Sequence, residues 1–370
     1  MSHLVMFVYF CLLGAIAASP EEIALKASAV GWPEANRIFH TDYRWKGSDA
    51  AYSIDLGHGR VLWLFGDAFI AYKKPYLRRN DCMAFIRNCV AIQNGYDPIV
   101  ATMEYFWGHR GKKPASFFPD HDTIWYWPLD GLMIDGRLLL FLSKVGRVET
   151  GLGFEARGHA GKIIENPEEN PDKWIMRSVR TPGAPWCETF GSAVETFADS
   201  LYAFCCNWDH TISLARWPLD SARTGALDNP EWWCGDSTGW VEHQSLNGHT
   251  IATLFGNGMT EFSVWRDTLT EEFLLVQTEG FGQARLVLRR ANSLVGPWST
   301  PELIYDPPEN VIPHIMIYAA KAHPHLQVEG MALTYATNGF EKSVLEDSSI
   351  CYPRFVRLTL QSVSPDSLMK

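Results

Sequence analysis

The chain has 370 residues, 46% of them hydrophobic and 13% aromatic, with 15 Trp. That length and composition are enough for a sizeable core. The 32 basic residues against 42 acidic ones leave a net charge of −10, which argues against a nucleic-acid partner because phosphates need a basic face.

Residues 1–19 read as a secretory leader. Residues 4–16 are apolar but too short to span a bilayer, and Ala15-Ile16-Ala17 is an A-x-A cleavage pattern. The expectation is therefore a secreted, extracellular chain, with residues 20–370 as a single domain. No later run reaches membrane-spanning length, so no membrane span is expected. Cleavage would remove Cys11 and leave seven Cys, with no C-x-x-C and no zinc-type spacing. One or two disulfides are possible, and their pairing is open. Cys205 and Cys206 are adjacent in a strand, so at most one is expected in the core. The basic cluster at residues 109–113 reads as a solvated loop.

Residues 45–69, WKGSDAAYSIDLGHGRVLWLFGDAF, read as two strands around Gly57-His58-Gly59. Residues 50–56 alternate roughly in polarity, and residues 61–65 are a continuous apolar run. Asp49 stands before the first strand and Asp67 after the second. Antiparallel pairing puts both on one edge of the sheet, a candidate acid/base pair.

Similar hairpins recur: 124–134 with 138–143, 192–197 with 201–206, 261–266 with 272–278, and 316–320 with 330–337. The second members recur at intervals of 58 to 77 residues, room for four strands each. Third strands read at 88–93, 154–164, 211–217, 284–290 and 354–360, and fourth strands most clearly at 173–178 and 302–305. The last unit lacks a fourth strand downstream, and residues 36–40 could supply it and close the ring. The expected fold is all-β, a five-bladed β-propeller whose last blade is closed by an N-terminal strand. The alternative is a β-sandwich plus a second β domain, but no linker marks a boundary.

In a propeller the first strand of each blade lines the axis, so residues far apart in sequence meet at its mouth. The strand starts give Asp49, Asp130, Glu188, Glu261 and His323. Crowded, desolvated carboxylates raise one another's pKa, which separates an acid from a base as glycosidic cleavage requires. Trp127, Trp186, Trp208 and Tyr126 flank this centre as sugar-stacking candidates, with core packing the competing role. Asn88 could hydrogen-bond a sugar hydroxyl or satisfy a loop. Arg354 pairs with a buried acid or binds substrate. Lys321 neutralises the carboxylate ring or faces the next blade. Residues 151–156 (GLGFEA) lack the strand–turn–helix context of a dinucleotide site, and no G-x-S-x-G, H-E-x-x-H, Walker A or EF-hand pattern occurs.

GSDAAYSIDLGHGRVLWLFGDAF, WYWPLDG, GSAVETF, LVLRRANSLVGPWSTPELIY, YAAKAHPHL and LTYATN with YPRFVRL resemble the exported DUF4185-type five-bladed propellers, some of which are endo-D-arabinanases. More distantly the chain is similar to the five-bladed furanosidase clans. The resemblance covers about residues 40–360. It implies Asp49 as base or nucleophile, Asp130 as the acid that tunes its neighbours and Glu188 as general acid. A competing assignment pairs Asp49 with Asp67 of FGDAF. It places His323 near the axis, where it can hold water or a cation. Ala50 and Ala68 depart from the Gly or Ser and Thr often found there, which puts substrate reach in doubt.

The function expected is thus a secreted glycoside hydrolase acting on furanose-containing polysaccharide. The alternative is a non-catalytic propeller that binds glycan or protein. The partner expected is a polysaccharide or oligosaccharide, and the chain is expected to be a monomer. No cofactor is required by this chemistry and no catalytic metal is expected. A structural Ca²⁺ at the propeller centre is a further possibility, since carboxylate oxygens suit that ion.

Overall fold

The computed structural model describes residues 24–74, 76, 82–280, 282–339 and 350–363. The proposed leader lies outside them. Residues Ala27–Thr359 gather into one compact unit; residues 24–26 and 360–363 continue the first and last strands.

Five antiparallel sheets form the blades. Blade one contains β2 (Trp45–Gly57), β3 (Arg60–Ala71), β5 (Cys89–Asn94) and β6 (Thr102–Phe106), with β4 (Met83–Ile86) also on β3. A small hairpin follows, β7 (Gly108–Arg110) with β8 (Lys113–Ala115). Blade two is β9 (Ile124–Ile134), β10 (Arg137–Arg147), β11 (Phe154–Ile164) and β12 (Met176–Val179). Blade three is β13 (Cys187–Phe197), β14 (Ser200–Asn207), β15 (Ile212–Pro218), β16 (Glu231–Trp233) and β17 (Trp240–Glu242). Blade four is β18 (Ser263–Arg266), β19 (Phe273–Glu279), β20 (Arg285–Ala291) and β21 (Glu302–Tyr305). Blade five is β22 (Ile315–Ala322), β23 (Met331–Gly339) and β24 (Arg354–Val363), completed by β1 (Ala24–Gly31).

The chain is therefore an all-β, five-bladed propeller closed by an N-terminal strand. The closing strand is not residues 36–40 as expected. Ala35–His40 is a 3₁₀ helix that buries Ile38 and Phe39. Phe39 stacks on Phe355 at 5.2 Å and meets Trp63 edge-on at 5.3 Å, so this segment fills the core beside blade one. The small residues of β1, ALKASAVG, carry little apolar signal.

Local chemistry explains the hairpins. His58-Gly59 and Asp135-Gly136 link their strands with both residues at positive φ, 53° and 76° in the first and 48° and 76° in the second. That is the tight turn whose twist matches the strands it joins. The second strands lie between neighbouring blades and are apolar on both faces: Val61–Phe65 and Leu138–Leu142 are buried throughout. The same layering corrects the expectation for the vicinal cysteines, since Cys205 and Cys206 are both fully buried. Cys205 forms a disulfide with Cys187 that ties β14 to β13.

The axis-lining strands are irregular where they cross the centre. The β2–β3 register shifts between Ser48 and Ala50 and again between Ala50 and Tyr52, β13–β14 between Phe190 and Val194, and β22–β23 between Tyr318 and Lys321. Ala50, Ala51 and Ala319 hold φ of 66°, 66° and 58° there. For residues with a Cβ this conformation costs on the order of 1 kcal/mol or more. The bulges turn backbone carbonyls and carboxylates toward the axis. Ala50, noted in the sequence as standing where related chains have Gly or Ser, occupies one of these strained positions.

Candidate active site

Asp49 on β2 and Asp67 on β3 flank the register pair Ser48↔Ala68. Ser48 Oγ donates to the Asp67 carbonyl at 2.9 Å and fixes the two strands at this point. A side chain at position 66 would collide with the Asp49 carboxylate, so Gly66 is what lets that carboxylate lie across β3. Tyr318 of β22 donates its hydroxyl to Asp49 Oδ2 at 2.7 Å. Burial pushes the Asp49 carboxyl up to about 8; the charges of Asp67 and Glu261 add to this, while Tyr318 and the Lys321 ammonium oppose it.

Asp67 has different partners. Arg87, between β4 and β5, reaches its two oxygens at 3.3 and 3.1 Å, and the Trp127 indole N–H donates to Oδ1 at 2.9 Å. The Arg87 guanidinium also lies over the Trp125 ring at 4.1 Å, which fixes its plane. Burial raises the Asp67 carboxyl only to about 6, because Arg87 and Trp127 favour the ionised form.

Lys321 occupies the axis beneath these acids. Its side chain is 1% exposed, and its ammonium donates to Glu261 Oε2 at 2.6 Å, Ala50 O at 2.9 Å and Ala319 O at 3.2 Å. The Tyr52 ring lies 4.2 Å away. Burial lowers its pKa, opposed by the charges of Glu261, Asp49 and Asp130. Among the described residues, no three His, Cys, Asp or Glu side chains converge as a metal cradle. The positive charge at the centre comes from this lysine.

Glu188 stands at the start of β13, half-buried, with its pKa raised by burial and opposed by the charge of His210. Asp130 does not join the Asp49 mouth. It is the seventh residue of β9 rather than its first, and its oxygens accept from the Gly131 and Val194 amides at 2.8 and 2.9 Å. It opens on the far end of the axis, in a cavity of ≈ 390 Å³ that also receives Asp55, Glu195 and His325.

Several expected substrate contacts are structural instead. Asn88 is fully buried; it donates to Phe118 O and Tyr126 O and accepts from the Phe118 amide at 2.7 Å. This clamps the loop between the first two blades. His323 is fully buried between Ser53 Oγ at 2.5 Å and Thr334 Oγ1 at 2.8 Å, with Trp63 alongside, and burial holds it neutral. Trp186 packs on Trp232 and His243 within blade three. Arg354 pairs with Glu309 at 2.9 Å. Glu261 is engaged by Lys321. Trp127 does reach the site, where its N–H holds Asp67. Trp208 is 49% exposed and donates to Pro185 O.

Sequence reasoning missed Tyr318 and Arg87. Tyr318 carried a weak signal as a polar-tipped residue at the start of an axis strand. Arg87 lies in a stretch without strand periodicity and gave none.

The description of a domain of unknown function, DUF5005, fits residues 34–360 of the chain. The chain belongs to the DUF5005 family. This corrects the expected DUF4185-type membership while keeping the span. Among solved structures, this DUF5005 chain is similar to a hydrolase candidate from Bacteroides ovatus, with TM-score 0.66, 14% identity and 88% of each chain covered. A GH62 α-L-arabinofuranosidase catalytic domain from Coprinopsis cinerea superposes more loosely, with TM-score 0.46 and 12% identity over 91% of this chain and 97% of that one. The first of these likenesses agrees with the propeller fold. No curated protein matches the chain.

Proposed function

We propose that this DUF5005 propeller is an exported glycoside hydrolase, acting on a furanose-containing polysaccharide or oligosaccharide. The observation that carries the reading is the pair Asp49 and Asp67, neighbours at the register shift of the β2–β3 hairpin and driven to different proton affinities. Asp49 is pushed up to about 8 and Asp67 only to about 6. Around neutral pH the first holds a proton and the second is ionised, the division of labour that glycosidic cleavage needs.

In this mechanism Asp49 gives its proton to the leaving oxygen as the anomeric C–O bond breaks. Asp67 carries the negative charge that stabilises the oxocarbenium-like transition state. It then either takes a proton from the attacking water or bonds the anomeric carbon first. Asp49 and Asp67 lie where the β2–β3 register shifts, and their carboxyl separation, about 5–5.5 Å for a retaining enzyme and about 6.5–9.5 Å for an inverting one, decides the route. Glu188, half-buried at the start of β13, is the competing general acid. Lys321 and Tyr318 are positioning residues, acting through Asp49.

Reducing-sugar release from arabinans, fructans and xylans tests this. Wild type is compared with Asp49→Asn, Asp67→Asn and Glu188→Gln. Loss of release in both Asp variants with Glu188→Gln retained supports the pair; loss in Glu188→Gln with Asp67→Asn retained transfers the acid role to Glu188. Folded wild-type protein that releases nothing from any substrate overturns the hydrolase reading and leaves a binding propeller.

A further inference from the structure

The outer half of β3 carries a ledge that the proposed cleavage does not use. From Arg60 to Phe65 this strand pairs with β5; from Ala68 to Ala71 it pairs with β4 instead. The ribbon so formed leaves the blade at the Asp67 end, and its side chains alternate between two faces. One face holds Asp67 and Phe69 of β3, with Phe85 opposite Phe69 and Arg87 two residues on, reaching Asp67. The Phe69 and Phe85 rings lie 5.1 Å apart, and the Arg87 guanidinium lies over Phe85 at 4.7 Å. Phe85 is nevertheless 49% exposed. An apolar surface therefore begins beside the acid pair and runs outward from it.

A second excursion of the same blade stands next to this ribbon. The β7–β8 hairpin packs against β4 through β8, and Ser116, just after β8, accepts the Arg87 amide on its hydroxyl at 3.1 Å. Lys113 is three residues from that anchor, about 10 Å of extended chain.

The two excursions, residues 69–87 and 108–117, carry charge of one sign. Their described residues include Lys73, Lys74, Arg87, Arg110, Lys112 and Lys113 and no Asp or Glu; Arg78, Arg79 and Asp81 lie outside the described residues. Asp67 holds Arg87, and Arg110 reaches Asp120 at 3.9 Å. The four lysines are exposed and form no ion pair among the described residues. A chain of net charge −10 repels a polyanion as a whole, so unpaired cations gathered on one blade mark the place that attracts one. The rings beside them narrow the partner further, since exposed aromatic faces stack on sugars.

We propose that this blade-one ledge binds an acidic glycan, one whose sugars carry carboxylate or sulfate groups. The sugar rings lie on Phe69 and Phe85, leading away from Asp49 and Asp67, and the anionic groups meet Lys73, Lys74, Lys112 and Lys113. The proposal deepens the glycosidase reading by naming the charge of its substrate, and rests on that reading for the direction in which the glycan enters.

The test is affinity electrophoresis of the full chain in native gels containing polygalacturonate, dextran sulfate or neutral dextran. A polyanion should retard the protein and dextran should not. Retardation by polygalacturonate alone assigns carboxylate groups, by dextran sulfate alone sulfate esters, and by both their shared charge. Affinity should fall at least about tenfold between about 20 and about 300 mM NaCl, because exposed charges are screened. Lys112→Glu combined with Lys113→Glu should weaken it at least about tenfold, and Phe85→Ala about threefold. Lys73→Glu with Lys74→Glu serves the same purpose if the first pair does not fold. Equal retardation by dextran, none by either polyanion, or an affinity untouched by salt or by the lysine variants would overturn the proposal. An affinity untouched by Phe85→Ala would leave a bare charged patch and overturn the glycan assignment. So would tighter binding of a DNA fragment than of either glycan. Retardation needs no turnover, so it can fail while reducing-sugar release stands, and stand where release fails.

Discussion

The two mouths of the propeller axis solve the same problem in different ways. Each brings carboxylates into partial burial. At the Asp49 mouth three acids have side-chain partners: Tyr318 for Asp49, Arg87 and Trp127 for Asp67, Lys321 for Glu261. At the far mouth the acids meet mostly backbone amides of their own or the next strand. Different side-chain partners give neighbouring acids different proton affinities. Amide caps leave Asp130 and Glu195 with the same one, about 7. The first arrangement suits acid/base chemistry.

Lys321 joins the two mouths, so its removal is the most severe way to break the comparison. Lys321→Met leaves Glu261 unpaired and the Ala50 and Ala319 carbonyls without their donor. Removing one partner of a buried ion pair costs about 3–5 kcal/mol. Glu261 keeps 23% of its side-chain surface exposed, which places the expected loss at the lower end. Urea denaturation reads it directly. The charge that opposes proton uptake at Asp49 and Asp130 disappears as well, so both carboxyls should move further up. A variant as stable as wild type would mean that the lysine is not the central support.

Asn88→Ala separates scaffold from chemistry. It removes three hydrogen bonds buried between blades one and two and strands the Phe118 amide. The expected cost is about 2–3 kcal/mol. Turnover per folded molecule should be unchanged. A selective loss of activity with normal stability would restore the sugar-binding role expected from sequence.

Glu195→Gln sharpens the contrast through pH. A carboxyl whose folded pKa lies above its unfolded value binds more protons when folded. Its stability contribution is present below the unfolded pKa and is lost as pH rises through the folded value. Glu195 rises from 4.5 to about 7, so wild-type melting temperature should fall across that window. The variant, which keeps the Thr196 acceptor, should fall less. Parallel melting profiles would show that Glu195 does not titrate there.

The blades were legible in sequence because each first hairpin combines a tight-turn signal with a strand apolar on both faces. β21 and the whole span of β9 fall where periodicity put them. The closing strand was not legible, because ALKASAVG is small and weakly patterned while NRIFH looked like a strand and folds as a 3₁₀ plug. Asp49 and Asp67 were legible because they belong to one hairpin, where pairing is local. Asp130 was assigned to the wrong mouth because its strand begins six residues earlier, at Ile124. Tyr318 and Arg87 reach the site only through ring closure and a loop, and neither leaves a periodic trace.

The smallest expected effect tests whether Asp49 and Asp67 titrate separately. Trp127→Phe keeps an aromatic ring against Phe154 but removes the N–H donated to Asp67. That bond favours the ionised carboxylate, so losing it should raise Asp67 from about 6, while Arg87 keeps the shift modest. A charge-assisted hydrogen bond corresponds to about one pKa unit. If Asp67 is the base, the acid-side limb of the pH–rate profile moves up by about that amount. The alkaline limb, set by the proton on Asp49, should move little, since Tyr318 still holds that carboxyl. Tyr318→Phe should do the reverse, raising the alkaline limb and sparing the other. Both limbs moving together in both variants would mean that the two carboxyls share their protons as one coupled dyad. The separate roles drawn from their different partners would then fail, even with the hydrolase activity intact.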